Sequence, residues 1–317
     1  MRWKRMSSRQ AGLTANRWPH TPLPGILLIL GLLSLPVFSK SLLADETWTG
    51  PTIMDEVFKR HELFPYVFEK QTMILIDSAE NRDVRKARRF SRVEPDATVK
   101  YLLIFDHPAE VRGVALLAIR HPSGRIESKI YLPAFGKELK STSGKSRGNH
   151  FLGTDFAIED LAPEVLSDFR YVRKTDYKIG KILYFVVEAF PKDSEIERAT
   201  GYGLHRHFIR QDNFYIVRTD YYDPRGRLLK RRTHHDLKMV DGTMWRANMI
   251  LMENHKEQHK TLIKINQRVF SHDYVPPEMF TSKWLLENRH VQSTEKRLFQ
   301  DTSESLGEKD TELKDSP

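Results

Sequence analysis

The 317-residue chain contains no cysteine. This excludes disulfides, a thiol nucleophile, cysteine-ligated zinc and the acylated cysteine of a lipoprotein. No apolar run reaches the roughly 20 residues that a bilayer-spanning helix needs; the most apolar, Gly25–Phe38, stops short. There is no G-x-S-x-G nucleophile elbow. Gly201-Tyr202-Gly203 lacks the strand–turn–helix setting of a phosphate loop. No internal repeat of solenoid type is present. A polytopic membrane protein and the common hydrolase signatures are thereby set aside.

The first residues carry Arg2, Lys4, Arg5, Arg9 and Arg17 with no acid, followed by the short apolar run. A basic flank, a short apolar core and small residues after it predict a secretory signal over 1–44. Cleavage fits after Ser39 or Ala44, and Ala44 is the better fit. The formal charge of +9 suggests a nucleic-acid or lipid surface, but six of the 51 basic residues and none of the 42 acidic ones lie before residue 45. The remainder has 45 basic against 42 acidic side chains. Nucleic acid is therefore not an expected partner, and the periplasm is the expected location.

Residues 51–64 place Ile53, Met54, Val57, Phe58 and Leu63 near helical spacing, with Pro51 close to the start. After Pro65 the period changes to that of strands: 69–77, 82–93, 97–106, and two segments flanking His121-Pro122-Ser123-Gly124. A second run of strands covers 202–210, 214–222, 227–240, 243–253 and 260–270. Asp223-Pro224-Arg225-Gly226 and Asp241-Gly242 supply turns between them. The alternation predicts an antiparallel sheet with one apolar face. Short helices are expected over 155–166 and 277–286, both covering that face. A polar tail over 291–317 is expected to be disordered.

Among 13 histidines, His205 and His207 lie two apart on one strand face, and His234-His235-Asp236 is adjacent in sequence. Zinc needs three or four converging ligands. Too few converge here, so exposed strand-face histidines are expected and no metal. His255 and His259 fall in a polar bend, where solvent is the plain reading. Acidic pairs such as Glu159-Asp160 suit a first helical turn without catalysis. No catalytic residue and no cofactor are expected.

Three stretches follow one another in a recognisable order: "VRGVALLAI" (111–119), "ESKIYLPAFGKELK" (127–140) and "GNHFLGTDFAIEDL" (148–161). With "MFTSKWLLEN" (279–288) they resemble the outer-membrane lipoprotein-sorting protein family, the LolA-like periplasmic carriers. Ile158 stands where an aromatic is usual. The resemblance covers roughly 50–290, so 45–290 is expected to be one domain. It implies a mainly β (α+β) fold: a strongly curved antiparallel sheet, an unclosed half-barrel, whose apolar concave face is plugged by short helices. It implies a non-catalytic carrier of lipid or lipoprotein acyl chains, with an inner-membrane exporter of the RND type as a further partner. The alternative is a half-barrel sensor or adaptor that binds a lipidated partner or such an exporter. An envelope hydrolase is the least favoured class.

Face parity on this frame places Leu103, Phe105, Leu117, Ile130, Leu132, Phe185, Val187, Trp245, Met249, Leu251, Ile263 and Ile265 around a hydrophobic cavity. Phe151, Leu152, Gly153 and Phe156 are expected to form a lid, with Gly153 as its flexible point. On that reading Phe151→Ser opens the cavity with little loss of fold.

Overall fold

The computed structural model describes residues 48–61, 64–122, 125–133, 138–141, 151–157, 160 and 164–287. The expected signal segment and polar tail lie outside them.

A helix begins where Thr49 and Thr52 cap each other reciprocally: each backbone N–H donates to the other's hydroxyl, at 2.8 and 3.3 Å. This helix, α1 (Gly50–His61), buries Ile53, Met54, Val57 and His61 along one stripe. Gly50 lets it sit close, since a Cβ there would meet the Tyr171 backbone at 2.8 Å.

Among the described residues thirteen strands follow: β1 (Tyr66–Ile76), β2 (Arg82–Val93), β3 (Val99–His107), β4 (Ala115–Arg120), β5 (Ile126–Leu132), β6 (Glu138–Ser141), β7 (Phe169–Ile179), β8 (Ile182–Pro191), β9 (Leu204–Arg210), β10 (Ile216–Tyr222), β11 (Leu228–Asp241), β12 (Met244–Asn254) and β13 (His259–Val269). The β10–β11 turn is closed by the Asp223 carboxylate, which accepts from Arg225 N and Arg227 N at 2.9 Å, with Gly226 at φ +77°. Asp241-Gly242 joins β11 to β12. Between β8 and β9, α2 (Ser194–Thr200) is capped by Asp193, whose side chain accepts from Glu195 N and Ile196 N.

All thirteen form one sheet in the order β6-β5-β4-β3-β2-β1-β13-β12-β11-β10-β9-β8-β7. It consists of two meanders joined where β1 pairs antiparallel with β13. The edges are β6 and β7, consecutive in sequence but at opposite ends of the sheet, so the sheet does not close into a barrel. The chain between β6 and β7 therefore passes from one edge to the other, and the described residues 151–157, 160 and 164–168 belong to this crossing segment.

Register follows one face from strand to strand: Phe185↔Ile209, His205↔Tyr221, Lys230↔Asn254, Ile250↔Ile263, Ile263↔Met73, Ala87↔Phe105 and Leu103↔Leu116. This is the concave face. The crossing segment packs on it at one end, through Phe151 and Phe156. At the other end α1 packs against Phe169, Phe185, Val187 and Ile209.

The convex face is not bare. Phe68, Phe90, Leu102, Ile104 and Leu117 pack there against Met279, Phe280, Trp284 and Leu285. These come from a 3-10 turn, Pro277–Phe280, and from α3 (Ser282–Leu286). The 277–286 segment was expected over the concave face; it lies on the other one. Within the helix expected over 155–166, the described residues 155–157 and 164–165 are not helical and Asp160 lies in a 3-10 turn. The side chains at its start are engaged elsewhere. Thr154 Oγ1 donates to Phe151 O at 2.8 Å, and the Asp155 carboxylate accepts from Thr261 Oγ1 at 2.7 Å.

Buried groups tie stability to pH, His61 and Glu69 among them. His61 Nε2 donates to Asn213 O and its Nδ1 accepts from Trp245 N, both at 3.1 Å. Both ring nitrogens of the neutral form are satisfied, and a proton on Nδ1 would face an N–H. Burial, then the charge of Arg246, lower its pKa to about 4. Glu69 is also buried, which by itself raises a carboxyl, but Arg89 and Arg268 outweigh this and hold it at about 2. Both folded pKa values lie below the unfolded ones, so the unfolded chain binds protons first as pH falls. Stability is therefore expected to fall from about pH 6.5 towards 4 through His61, by on the order of 3 kcal/mol. It should fall again below about pH 4.5 through Glu69. Urea denaturation across pH 7 to 3 tests this, and an unchanged upper step in His61→Gln would remove the assignment.

Candidate functional site: the concave face and its crossing segment

The apolar half of the concave face is built by β1–β5, β12 and β13. Leu103, Phe105, Ile263 and Ile265 are buried in one cluster there, with Ile130 and Leu132 packed against it. Phe185 and Val187 share this face but lie in the separate cluster beneath α1. Leu117 belongs to the convex cluster under Trp284. Trp245, Met249 and Leu251 also alternate onto the convex face, because β12 pairs Met249 with Lys264 and Ile250 with Ile263. Their concave neighbours on the strand are Ile250 and Met252. These four expected positions are thus corrected, and a one-residue difference in parity accounts for each.

The four lid residues are brought together. Phe151 N donates to Phe156 O and Thr154 N to Phe151 O, each at 2.9 Å, which folds 151–156 into a closed turn. Leu152 (φ 49°) and Gly153 (φ 79°) are both left-handed and reverse the chain. Phe151 and Phe156 then point the same way, each 3% exposed, and the Phe151 ring stacks on Phe105 with centroids 5.9 Å apart. Leu152 is half-buried beside them, and its carbonyl accepts from Arg85 Nη1. Asp155 N donates to Thr261 Oγ1 at 2.9 Å, pinning the turn to β13.

Farther along, the crossing segment lies against a buried polar belt. Ala157 N donates to Asp160 Oδ2 at 2.8 Å, Tyr202 OH to Oδ1 at 3.0 Å, and Lys230 Nζ to Oδ2 at 3.3 Å. Arg232 Nη1 donates to Asp160 O at 3.2 Å. Beside this latch, Tyr171 OH donates to Glu164 Oε1 at 2.7 Å, and His205 Nδ1 lies 2.7 Å from Oε2. Burial by itself raises the Glu164 carboxyl, but His207 and His205 reverse this and hold it well below the usual range. The expectation of exposed strand-face histidines is overturned: His205 is 7% and His207 2% exposed. The strand alternation located both on one face; what buries them is a distant segment of chain. A cleft of about 390 Å³ opens next to the belt, lined by Tyr202, Lys230, Leu229, Arg198 and Lys256 among others.

No curated protein matches the chain. A family whose description reads "Uncharacterized protein" has a model that matches residues 97–287, more than half the chain. The chain belongs to that family. Solved structures similar to this family member share its fold. A putative outer membrane lipoprotein-sorting protein domain from Vibrio parahaemolyticus is 28% identical, with a TM-score of 0.69 over 75% of this chain and 98% of that one. A DUF1329 family protein from Desulfovibrio piger is 21% identical, with a TM-score of 0.66 over 73% and 98%. A LolA superfamily protein from Nitrosomonas europaea is 18% identical, with a TM-score of 0.59 over 75% and 99%. The fold is LolA-like, as the sequence motifs implied. No helix among the described residues is long and apolar enough to cross a membrane.

Proposed function

We propose that the protein is a non-catalytic carrier that shields a lipid, or the acyl chains of a lipidated protein, in the concave face of its sheet, and that it works in the periplasm after removal of residues 1–44. The observation that carries this reading is how the face is filled. Its apolar half is covered by two aromatic side chains of the crossing segment, Phe151 and Phe156, which are packed into the same cluster as Leu103, Phe105 and Ile263. An acyl chain that took their place would gain about 0.8 kcal/mol per buried methylene. The polar belt at the end of the segment suits a headgroup better than a tail. The likeness to a lipoprotein-sorting domain supports the same reading.

Organic extraction and mass spectrometry of the purified protein test it. Bound lipid approaching one per chain is expected, as is saturable uptake of a fluorescent fatty acid by delipidated protein. Absence of both overturns the proposal. Release of the fatty acid to acceptor vesicles faster than its spontaneous exchange is expected of a carrier; retention in the protein would instead mark a sensor.

A further inference from the structure

The geometry points to a zinc-binding site formed by Glu164, His205 and His207, which clasps the crossing segment to β9. It does not rest on the carrier reading.

The side chains converge from two parts of the chain. His205 and His207 are two apart on β9, so both project from the same face. Glu164 arrives from the crossing segment, just before the 3-10 turn at Leu166–Asp168. One ligand atom from each of the three lies within 4.8 Å of the others. His205 Nδ1 is 2.7 Å and His207 Nε2 3.6 Å from the same oxygen, Glu164 Oε2. In a tetrahedral zinc site with ligands at about 2.0–2.1 Å, ligand atoms stand roughly 3.4 Å apart. The observed separations bracket that spacing.

A second observation is independent of this spacing. His207 is 2% exposed, and its Nε2 has no hydrogen-bond partner. Its other nitrogen, Nδ1, is 3.0 Å from Thr219 Oγ1. With Nδ1–H donating to that hydroxyl, Nε2 presents a lone pair to a carboxylate oxygen in a buried place. With the proton on Nε2 instead, 3.6 Å is too long for a hydrogen bond. A cation between Nε2 and Oε2 resolves both cases.

The surrounding groups are those that orient metal ligands. Thr219 fixes the His207 ring through the nitrogen that does not face the site. Tyr171 OH holds the second oxygen of Glu164 at 2.7 Å. Two imidazoles and a carboxylate suit zinc among the divalent ions and leave a fourth position for water or another oxygen donor.

The test uses the whole protein, free of any histidine tag, stripped with a chelator and reloaded with Zn²⁺ alone. Expected are one zinc per chain retained through gel filtration, and an X-ray absorption spectrum with a two-imidazole shell. Glu164→Gln and His207→Ala should each weaken Zn²⁺ binding by about tenfold or more, and Thr219→Val by roughly tenfold. His272→Ala, on an exposed histidine, should not change it. Failure to retain zinc overturns the site, as does equal retention by the His207→Ala and Glu164→Gln proteins. Should those variants not fold, a wild-type spectrum without the two-imidazole shell overturns it equally.

Discussion

Phe151→Ala is expected to lower the unfolding free energy by about 3–5 kcal/mol, the range for truncating a fully buried aromatic. The ring is 3% exposed and stacked on Phe105, and the tight turn that carries it is held by Thr154 and Asp155. Little can collapse into the space, because Phe105 and Leu103 are buried on β3, which is paired on both sides. The sequence alone suggested that Phe151→Ser would open the face at small cost. The burial argues that the plug is also core, so exposure of the face and loss of stability should come together. Urea denaturation measures the second and binding of a hydrophobic dye the first. Half-buried Leu152, changed to Ala, should cost less. A loss below about 1 kcal/mol for Phe151→Ala would mean that the segment leaves the sheet easily.

Lys230→Met should cost a similar amount, about 3–5 kcal/mol, because it leaves the Asp160 carboxylate buried without its cation. The two side chains are 6% and 1% exposed and 3.3 Å apart. Ala157 N and Tyr202 OH still donate to the carboxylate, which places the expected loss at the lower end of that range. The double variant Asp160→Asn/Lys230→Met removes both charges and should recover much of the loss, since a neutral pair does not carry the desolvation cost. Salt should change little, because a buried pair is poorly screened. Denaturation of the three proteins at low and high ionic strength decides. If Lys230→Met matches wild type, the latch contributes nothing to holding the crossing segment.

Where the determinants are local, the sequence is readable. Asp223-Pro224-Arg225-Gly226 and Asp241-Gly242 mark their turns because the turn is made by those residues themselves. The strands with clear alternation, such as β13, fall where expected. β12 shows the limit. Trp245, Met249 and Leu251 are as apolar as Met244, Ile250 and Met252, so composition cannot choose the face, and only pairing of Ile250 with Ile263 does. Leu117 is misplaced for a related reason: Leu116 and Leu117 are both buried, on opposite faces of β4. β7 and β8 left little pattern at all. β7 is mostly exposed beyond Tyr171, and Tyr184–Ala189 of β8 is a continuous buried run. Glu164 and Asp160 were invisible as site residues, because their partners His205 and Lys230 are supplied by strands of the second meander.

The seam between β1 and β13 also bears on how the chain reaches this state. Every other neighbouring pair of strands is consecutive in sequence, so each meander can zip locally. The seam brings Phe68 beside Val269 and must close a loop of most of the chain. Loop closure costs entropy before such a contact returns any, and non-local pairing slows folding. During synthesis β1 is made early, yet its partner comes last. Until then one edge of β1, with its backbone N–H and C=O groups, stays open as a template for another chain. Holding that edge free of other chains is a task the finished fold no longer shows.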